Sequence, residues 1–141
     1  MKPGKLNGGA IFMTPDGRVI LQRRDNKPWI SSPGKVHVFG GSSEGHETAR
    51  QAMVREIHEE TGLKLSNLHE VQFVDEFEEL NDITGLVDTD EIYLIKNVDP
   101  HELRVLEGDS HVILSPGDDL SDYPLSELVV RVLHTIGFAR S

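Results

Sequence analysis

The chain predicts an α/β fold in which a mixed sheet is layered between helices, and three features carry that expectation. Short apolar runs bounded by turn residues recur in both halves of the 141 residues. One long helical pattern, free of proline and glycine, occupies the middle. A second apolar stripe at helical spacing follows near the end.

Taken in order, residues 10–13 and 18–22 are apolar-rich and flank Thr14-Pro15-Asp16-Gly17, a strong turn signal, so they read as a hairpin of two strands. Residues 23–28 lead into a loop over 29–34, and residues 35–39 form a short strand that delivers Gly40 and Gly41. Thr48 followed by Gln51 has the form of a capping box, so a helix begins at Ala49. Gly62 suits the left-handed position just past its end. On that helix Met53, Val54 and Ile57 make an apolar arc for a sheet, while Ala49 and Ala52 leave open space beside the acids. Residues 71–77 and 91–97 read as strands, with the acidic stretch 78–90 as the loop between them. A late strand covers 112–114. Leu125, Leu128, Val129, Val132, Leu133 and Ile136 recur at helical spacing, with Pro124 in a first-turn position.

Composition narrows the function classes. Hydrophobic content of 37% and charged content of 27% describe a globular chain, long enough for one domain over residues 1–141. The absence of cysteine excludes disulfides, thiolate catalysis and thiolate metal sites. No apolar run approaches the roughly 20 residues that span a bilayer, so no membrane partner is expected. The opening MKPGKLNGGA lacks an apolar signal core, which makes a cytoplasmic location the expectation. A net charge of −10 argues against a duplex nucleic-acid surface, which needs a basic stripe. It leaves room for a small nucleotide, whose phosphates would meet metal ions first. The chain is expected as a monomer or homodimer.

The most informative segment is 41–63, GSSEGHETARQAMVREIHEETGL. Gly41, Glu47, Arg55, Glu56, Glu59, Glu60 and Gly62 stand in the pattern G-x5-E-x7-R-E-U-x-E-E-x-G-U, with Ile57 and Leu63 at the aliphatic positions U. At ordinary residue frequencies, that coincidence arises in such a chain less than about once in a million. At about 100° per residue, Glu56, Glu59 and Glu60 share one helical arc. They repel one another and sit at the negative end of the helix dipole, which is unfavourable unless a cation compensates. Hard oxygen ligands point to Mg2+ or Mn2+ rather than zinc. A lone E-x-x-E-E usually means a solvated acidic face; the set spacing of Gly41, Glu47 and Arg55 weighs against that here.

The segment resembles the signature box of the Nudix hydrolases, which cleave nucleoside diphosphates linked to another moiety. The resemblance implies an α/β/α sandwich with a mixed sheet. It implies Glu56, Glu59 and Glu60 as ligands of Mg2+ or Mn2+, with the backbone carbonyl of Gly40 nearby. Glu47 and Arg55 resemble the partners that fix the loop against the helix, and Glu56 is the first candidate for the base that activates water. Glu107, in the setting Glu107-Gly108-Asp109 before a late strand, is similar to an acid that reaches back to metal or water; the alternative is an ordinary turn acid. Two positions depart from the pattern: Phe39 stands where proline is frequent, and His46 where glycine is usual.

Other residues carry weaker signals. Arg23 and Arg24 end a strand, where charged forks suit phosphate or base contact as well as a surface ion pair. Trp29 can stack on a base or anchor its loop. Tyr93 and Phe77 read as core. The histidines lack ligand spacing, although His37 and His46 flank the glycine pair. Residues 88–91 read as a solvated acid cluster in the hairpin loop, with an additional metal site as the alternative. The leading function is hydrolysis of a nucleoside triphosphate to the monophosphate and pyrophosphate. The alternatives are a nucleotide-sugar hydrolase, to which residues 24–28 bear a loose similarity, and a non-catalytic nucleotide-binding regulatory module.

Overall fold

Alternation along the strands decides the architecture. In β1 (Leu6–Met13), Ala10 and Phe12 face one side and Ile11 the other, and all three are fully buried. In β2 (Val19–Arg23), Ile20 joins the first side while Val19 and Leu21 join the second. A sheet apolar on both faces must be covered on both. The computed structural model describes residues 4–24, 34–104 and 110–138 and shows both covers. On one face α1 (Ala49–Thr61) buries Met53 and Ile57 against Ala10, Phe12, Ile20 and Ile95. On the other, α2 (Glu127–Thr135) buries Leu128, Val129, Val132 and Leu133 against Ile11, Leu21, Ile92 and Leu94.

The remaining strands are β3 (Val36–His37), β4 (Phe39–Ser42), β5 (Glu70–Leu80), β6 (Val87–Lys96) and β7 (Ser110–Leu114). Their main order is β3-β2-β1-β6-β5, with β4 paired to β1 and β7 to β2. The β1–β6 pair is parallel and the others are antiparallel, so the sheet is mixed and the fold is the expected α/β/α sandwich. Among the described residues no helix is long and apolar enough to cross a membrane.

Several local expectations change. The strand foreseen over 35–39 divides at Val38 into β3 and β4, which pair with different partners. The loop foreseen over 78–90 shrinks, because β5 runs to Leu80 and β6 starts at Val87. The acids of 88–91 are therefore strand residues, and Asp88 and Asp90 are buried at 6% and 4% exposure rather than solvated. Pro124 lies ahead of the second helix, not in its first turn; Ser126 is the N-cap, accepting from the Val129 N–H. Val54 points to solvent, whereas Ala49 and Ala52 are buried. The reason is Gly8 of β1: a Cβ there would lie 1.7 Å from the Ala49 carbonyl oxygen. The helix rests on bare backbone, which turns the arc of Ala49 and Ala52 into the contact surface.

Candidate active site

The carboxylates of α1 are placed by its caps and by one arginine. Thr48 Oγ1 accepts from the Gln51 N–H at 3.1 Å, and the Gln51 amide oxygen accepts from the Thr48 N–H at 2.9 Å. Gly62, at φ 77°, closes the other end by donating to the His58 carbonyl at 2.8 Å. Between these caps the fork of Arg55 spans the loop and the helix. Its Nε and Nη2 donate to the two Glu47 oxygens at 2.8 and 2.9 Å, and Nη2 also reaches the Ser42 carbonyl at 3.2 Å. Its Nη1 donates to Glu56 at 2.8 Å and to Glu59 at 3.4 Å. The hydrogen bonds to Glu47, then those to Glu56, raise the Arg55 pKa beyond its usual value. Glu47 shifts the other way, held below the ordinary carboxyl range first by Arg55 and then by the Glu44 N–H.

Repulsion among the helix acids is thus relieved from within the chain. Arg55 takes Glu56 and Glu59, while Glu60 accepts from the Gly40 N–H at 2.9 Å and from the Gln22 amide at 3.3 Å. With the acids so occupied, no three Asp, Glu or His side chains form a ready metal cage among the described residues. The donor set still fits Mg2+ or Mn2+: it is all oxygen, and it sits in a cradle that a side chain would fill. A Cβ on Gly41 would lie 2.7 Å from the Glu56 carboxyl carbon, and one on Gly40, whose φ is 139°, only 2.1 Å from the Gly8 carbonyl oxygen. Glycine at both positions lets β4 pass between β1 and the acids.

On the opposite side of β4 lies a cavity of about 680 Å³, floored by Gly8, Gly9, Gly40 and Gly41. That volume lies within the usual range for small-molecule sites. Arg24 and Lys35 reach it from one side, Asn7 and Asp90 from the sheet, and Arg131 from α2. His37 also lines it, but its Nδ1 is 2.7 Å from Ser126 Oγ. Burial, followed by the charges of Arg24 and Lys35, pushes its pKa down to about 3, so the imidazole is neutral. None of Glu56, Glu59 and Glu60 lines the cavity; β4 is the element shared by both.

Arg24 is brought to this cavity, whereas Arg23 ends β2 exposed and outside its lining. His46 is exposed. Trp29 and Glu107 lie outside the described residues. Tyr93 and Phe77 are core residues, at 6% and 8% exposure. Sequence reasoning missed Gln22, which bonds Glu60, and Asn7, Glu79 and Asp90, which line the cavity. The available signal was Asp88-x-Asp90 leading straight into the apolar run of β6, since period-2 spacing puts both acids on one face.

A family model for the NUDIX domain matches residues 5–126. The chain belongs to the Nudix family. No curated protein sequence matches the chain closely enough to serve as a relative. Among solved structures, the fold is similar to the MutT NUDIX hydrolase from Burkholderia pseudomallei, at a TM-score of 0.78 and 23% identity, covering 96% of this chain and 99% of that one. It is also similar to the MutT protein from Methanosarcina mazei Go1, at 0.75 and 18% identity, covering 97% and 94%. The NUDIX domain of Shewanella oneidensis NrtR, solved with ADP ribose, matches at 0.73 and 15% identity, covering 97% and 88%.

The two departures from the Nudix pattern have local explanations. Phe39 is buried and packs against Phe12 and His111, with ring centroids 5.0 and 5.4 Å away, so the position serves the core. His46 follows Gly45, which supplies the left-handed turn at φ 55° one place earlier than the usual glycine.

Proposed function

We propose that this Nudix hydrolase cleaves a pyrophosphate bond in a nucleoside diphosphate derivative, using Mg2+ or Mn2+ held by Glu56, Glu59, Glu60 and the Gly40 carbonyl. The observation that carries the reading is the glycine strand β4, which has the helix acids on one side and the cavity on the other. A divalent ion bound there supplies charge neutralisation at the diphosphate and lowers the pKa of an attacking water. The chain's own part is positional. Arg55 holds Glu56 and Glu59 in place, Glu56 orients the water or takes its proton, and Arg24 offers a charged fork to phosphate. Trp29, five residues after Arg24 in the sequence, is assigned to cover or stack on the substrate.

A nucleoside triphosphate split to the monophosphate and pyrophosphate is the first substrate to test. A nucleotide sugar is favoured by a separate observation: among the described residues the cavity is lined mostly by polar side chains, with Val38, Leu80 and Ile83 and without Phe, Tyr or Trp. The ADP ribose bound by the Shewanella domain makes that compound a suitable probe. Release of phosphate products from a mixed panel with Mg2+ supports the hydrolase. Tight nucleotide binding with no release would instead make the chain a binding module.

Metal itself gives a direct test. An ion that binds only the folded state stabilises it by RT ln(1 + [L]/Kd), so millimolar Mg2+ or Mn2+ should raise Tm. Exhaustive chelation should abolish turnover; activity that survives it would remove the metal from the reaction. Glu107 is proposed as a further acid on the water or metal. Glu107→Gln should lower turnover more than substrate affinity, because such contacts matter most in the transition state. Asp109→Asn is the control and should do little. Near wild-type turnover of Glu107→Gln at saturating Mg2+ and substrate would make Glu107 a turn acid.

A further inference from the structure

The cavity wall beyond β1 carries buried polar atoms that the hydrolytic chemistry leaves unused. Asp90 on β6 is 4% exposed; its Oδ1 accepts from Asn7 at 2.9 Å, and the rest of its buried carboxylate has only the Glu79 carboxyl beside it. Neighbouring Asp88 is satisfied, accepting from the Lys5 N–H at 2.7 Å and from Asn81 at 3.0 Å. One donor lining the same cavity, Arg131 Nε, is buried and unpartnered. Arg131 is otherwise fixed, donating to the Glu78 carbonyl at 2.8 Å with its guanidinium 5.5 Å from the Phe77 ring centre. Buried polar atoms are nearly always paired in folded proteins, so an unmet donor and a carboxylate with lone pairs to spare, lining one cavity, point to a ligand.

The mixture of needs selects the ligand chemistry. An ammonium only donates and a phosphate only accepts, whereas a hydroxyl does both. A nucleobase would also want an aromatic face, and among the described lining residues there is none beyond His37, which is bound to Ser126. Building on the hydrolytic reading of this cleft, we propose that Asn7, Glu79 and Asp90 form a specificity site for the hydroxyl groups of a sugar, with Arg131 as the donor opposite. The sugar is either the group carried beyond the pyrophosphate or the ribose of the nucleoside.

Glu79 strengthens the case. Its carboxyl is pushed up to about 8, first by burial, then by its hydrogen bond to Asp90 and the charges of Asp90 and Asp88, so it keeps a proton near neutrality. That proton can serve Asp90, whose carboxylate still has lone pairs to spare for a sugar hydroxyl. A metal ion would have to displace it, which makes this wall a poor cation site.

The test is calorimetric binding to the full chain in Mg2+, with hydrolysis-resistant methylene-bridged analogues of ADP-ribose, ADP and 2′-deoxy-ADP. A site built to bond hydroxyls rejects a ligand that lacks them. The expected result is a margin of about tenfold or more, either for ADP-ribose over ADP or for ADP over its deoxy form. The first places the terminal sugar on the site and the second the nucleoside ribose. Glu79→Ala and Asp90→Asn should each erase the margin, while Glu127→Gln, which removes a charge elsewhere in the cavity, should keep it. Should Asp90→Asn fail to fold, Glu79→Ala at a half-buried position carries the test. Equal binding of all three analogues, a margin that survives Glu79→Ala, or one lost equally in Glu127→Gln would overturn the proposal. Hydrolysis of ATP without any hydroxyl margin removes this site alone. A margin without cleavage of any phosphoanhydride leaves the site and removes the hydrolytic reading.

Discussion

Glu59→Gln and Glu60→Gln are each expected to lower turnover by about two orders of magnitude or more, a loss of roughly 3 kcal/mol or more in transition-state stabilisation. The substitution removes charge and keeps shape, so the folded protein should persist. Glu59 is half-exposed and its bond to Arg55 is long, at 3.4 Å; an amide oxygen can accept there as well. Glu60 is a more demanding case, because it accepts from the Gly40 N–H and from the Gln22 amide. A glutamine at 60 keeps an oxygen for Gly40 but turns a donor toward Gln22. Gln22 is buried with its Oε1 unpartnered, so flipping its amide would offer that oxygen to the new donor. Thermal stability without metal should therefore hold or rise in both variants, while the upward shift of Tm with Mg2+ shrinks. Variants that unfold yet keep their specific activity would reverse the assignment of ligand and scaffold.

Much of this site was legible because its signals are local. The helix α1 begins after Thr48 and ends before Gly62 because both caps bond within a few residues of themselves, and the spacing of Glu56, Glu59 and Glu60 fixes their common face at once. The two-helix, one-sheet layering followed from periodicity alone. Apart from the start of the second helix, where Ser126 rather than Pro124 sets the cap, the failures are non-local. Acid-rich composition made residues 78–90 read as loop, yet Asp88 and Asp90 are buried by bonds to Lys5 and Asn7, 83 residues away in each case. Ala49 and Ala52 read as open surface because nothing near them announces Gly8, whose bare backbone draws the helix down. Gln22 carries no motif and acquires a role only when β2 passes beneath Glu60. A cavity gathered from β1, β4, β6 and α2 has no signature in any one segment.

Arg55→Ala should destabilise the fold, lowering Tm by about 5 °C or more. One guanidinium ties Glu47 and the Ser42 carbonyl of the preceding loop to Glu56 and Glu59 of the helix, so its removal frees the loop and leaves acids facing one another. Lysine cannot reproduce the fork that meets both Glu47 oxygens while reaching Glu56, so Arg55→Lys should recover only part of the loss. The pH dependence gives the sign of the mechanism. Glu47 is held below its ordinary value of 4.5 in the folded state, so its contribution is present above that pH and is lost as pH falls through the folded pKa. The gap in Tm between wild type and Arg55→Ala should therefore be widest near neutrality and should narrow below about pH 4.5. Metal separates the two parts of the role. With Arg55 gone, a divalent ion becomes the main cation beside Glu56 and Glu59, so the stabilisation by Mg2+ should be larger in the variant than in wild type. The loop would still lack its tether, and saturating Mg2+ should restore only part of the lost Tm. An Arg55→Ala protein that melts like wild type in metal-free buffer would show that the loop is held by its backbone, with the ion pairs contributing little.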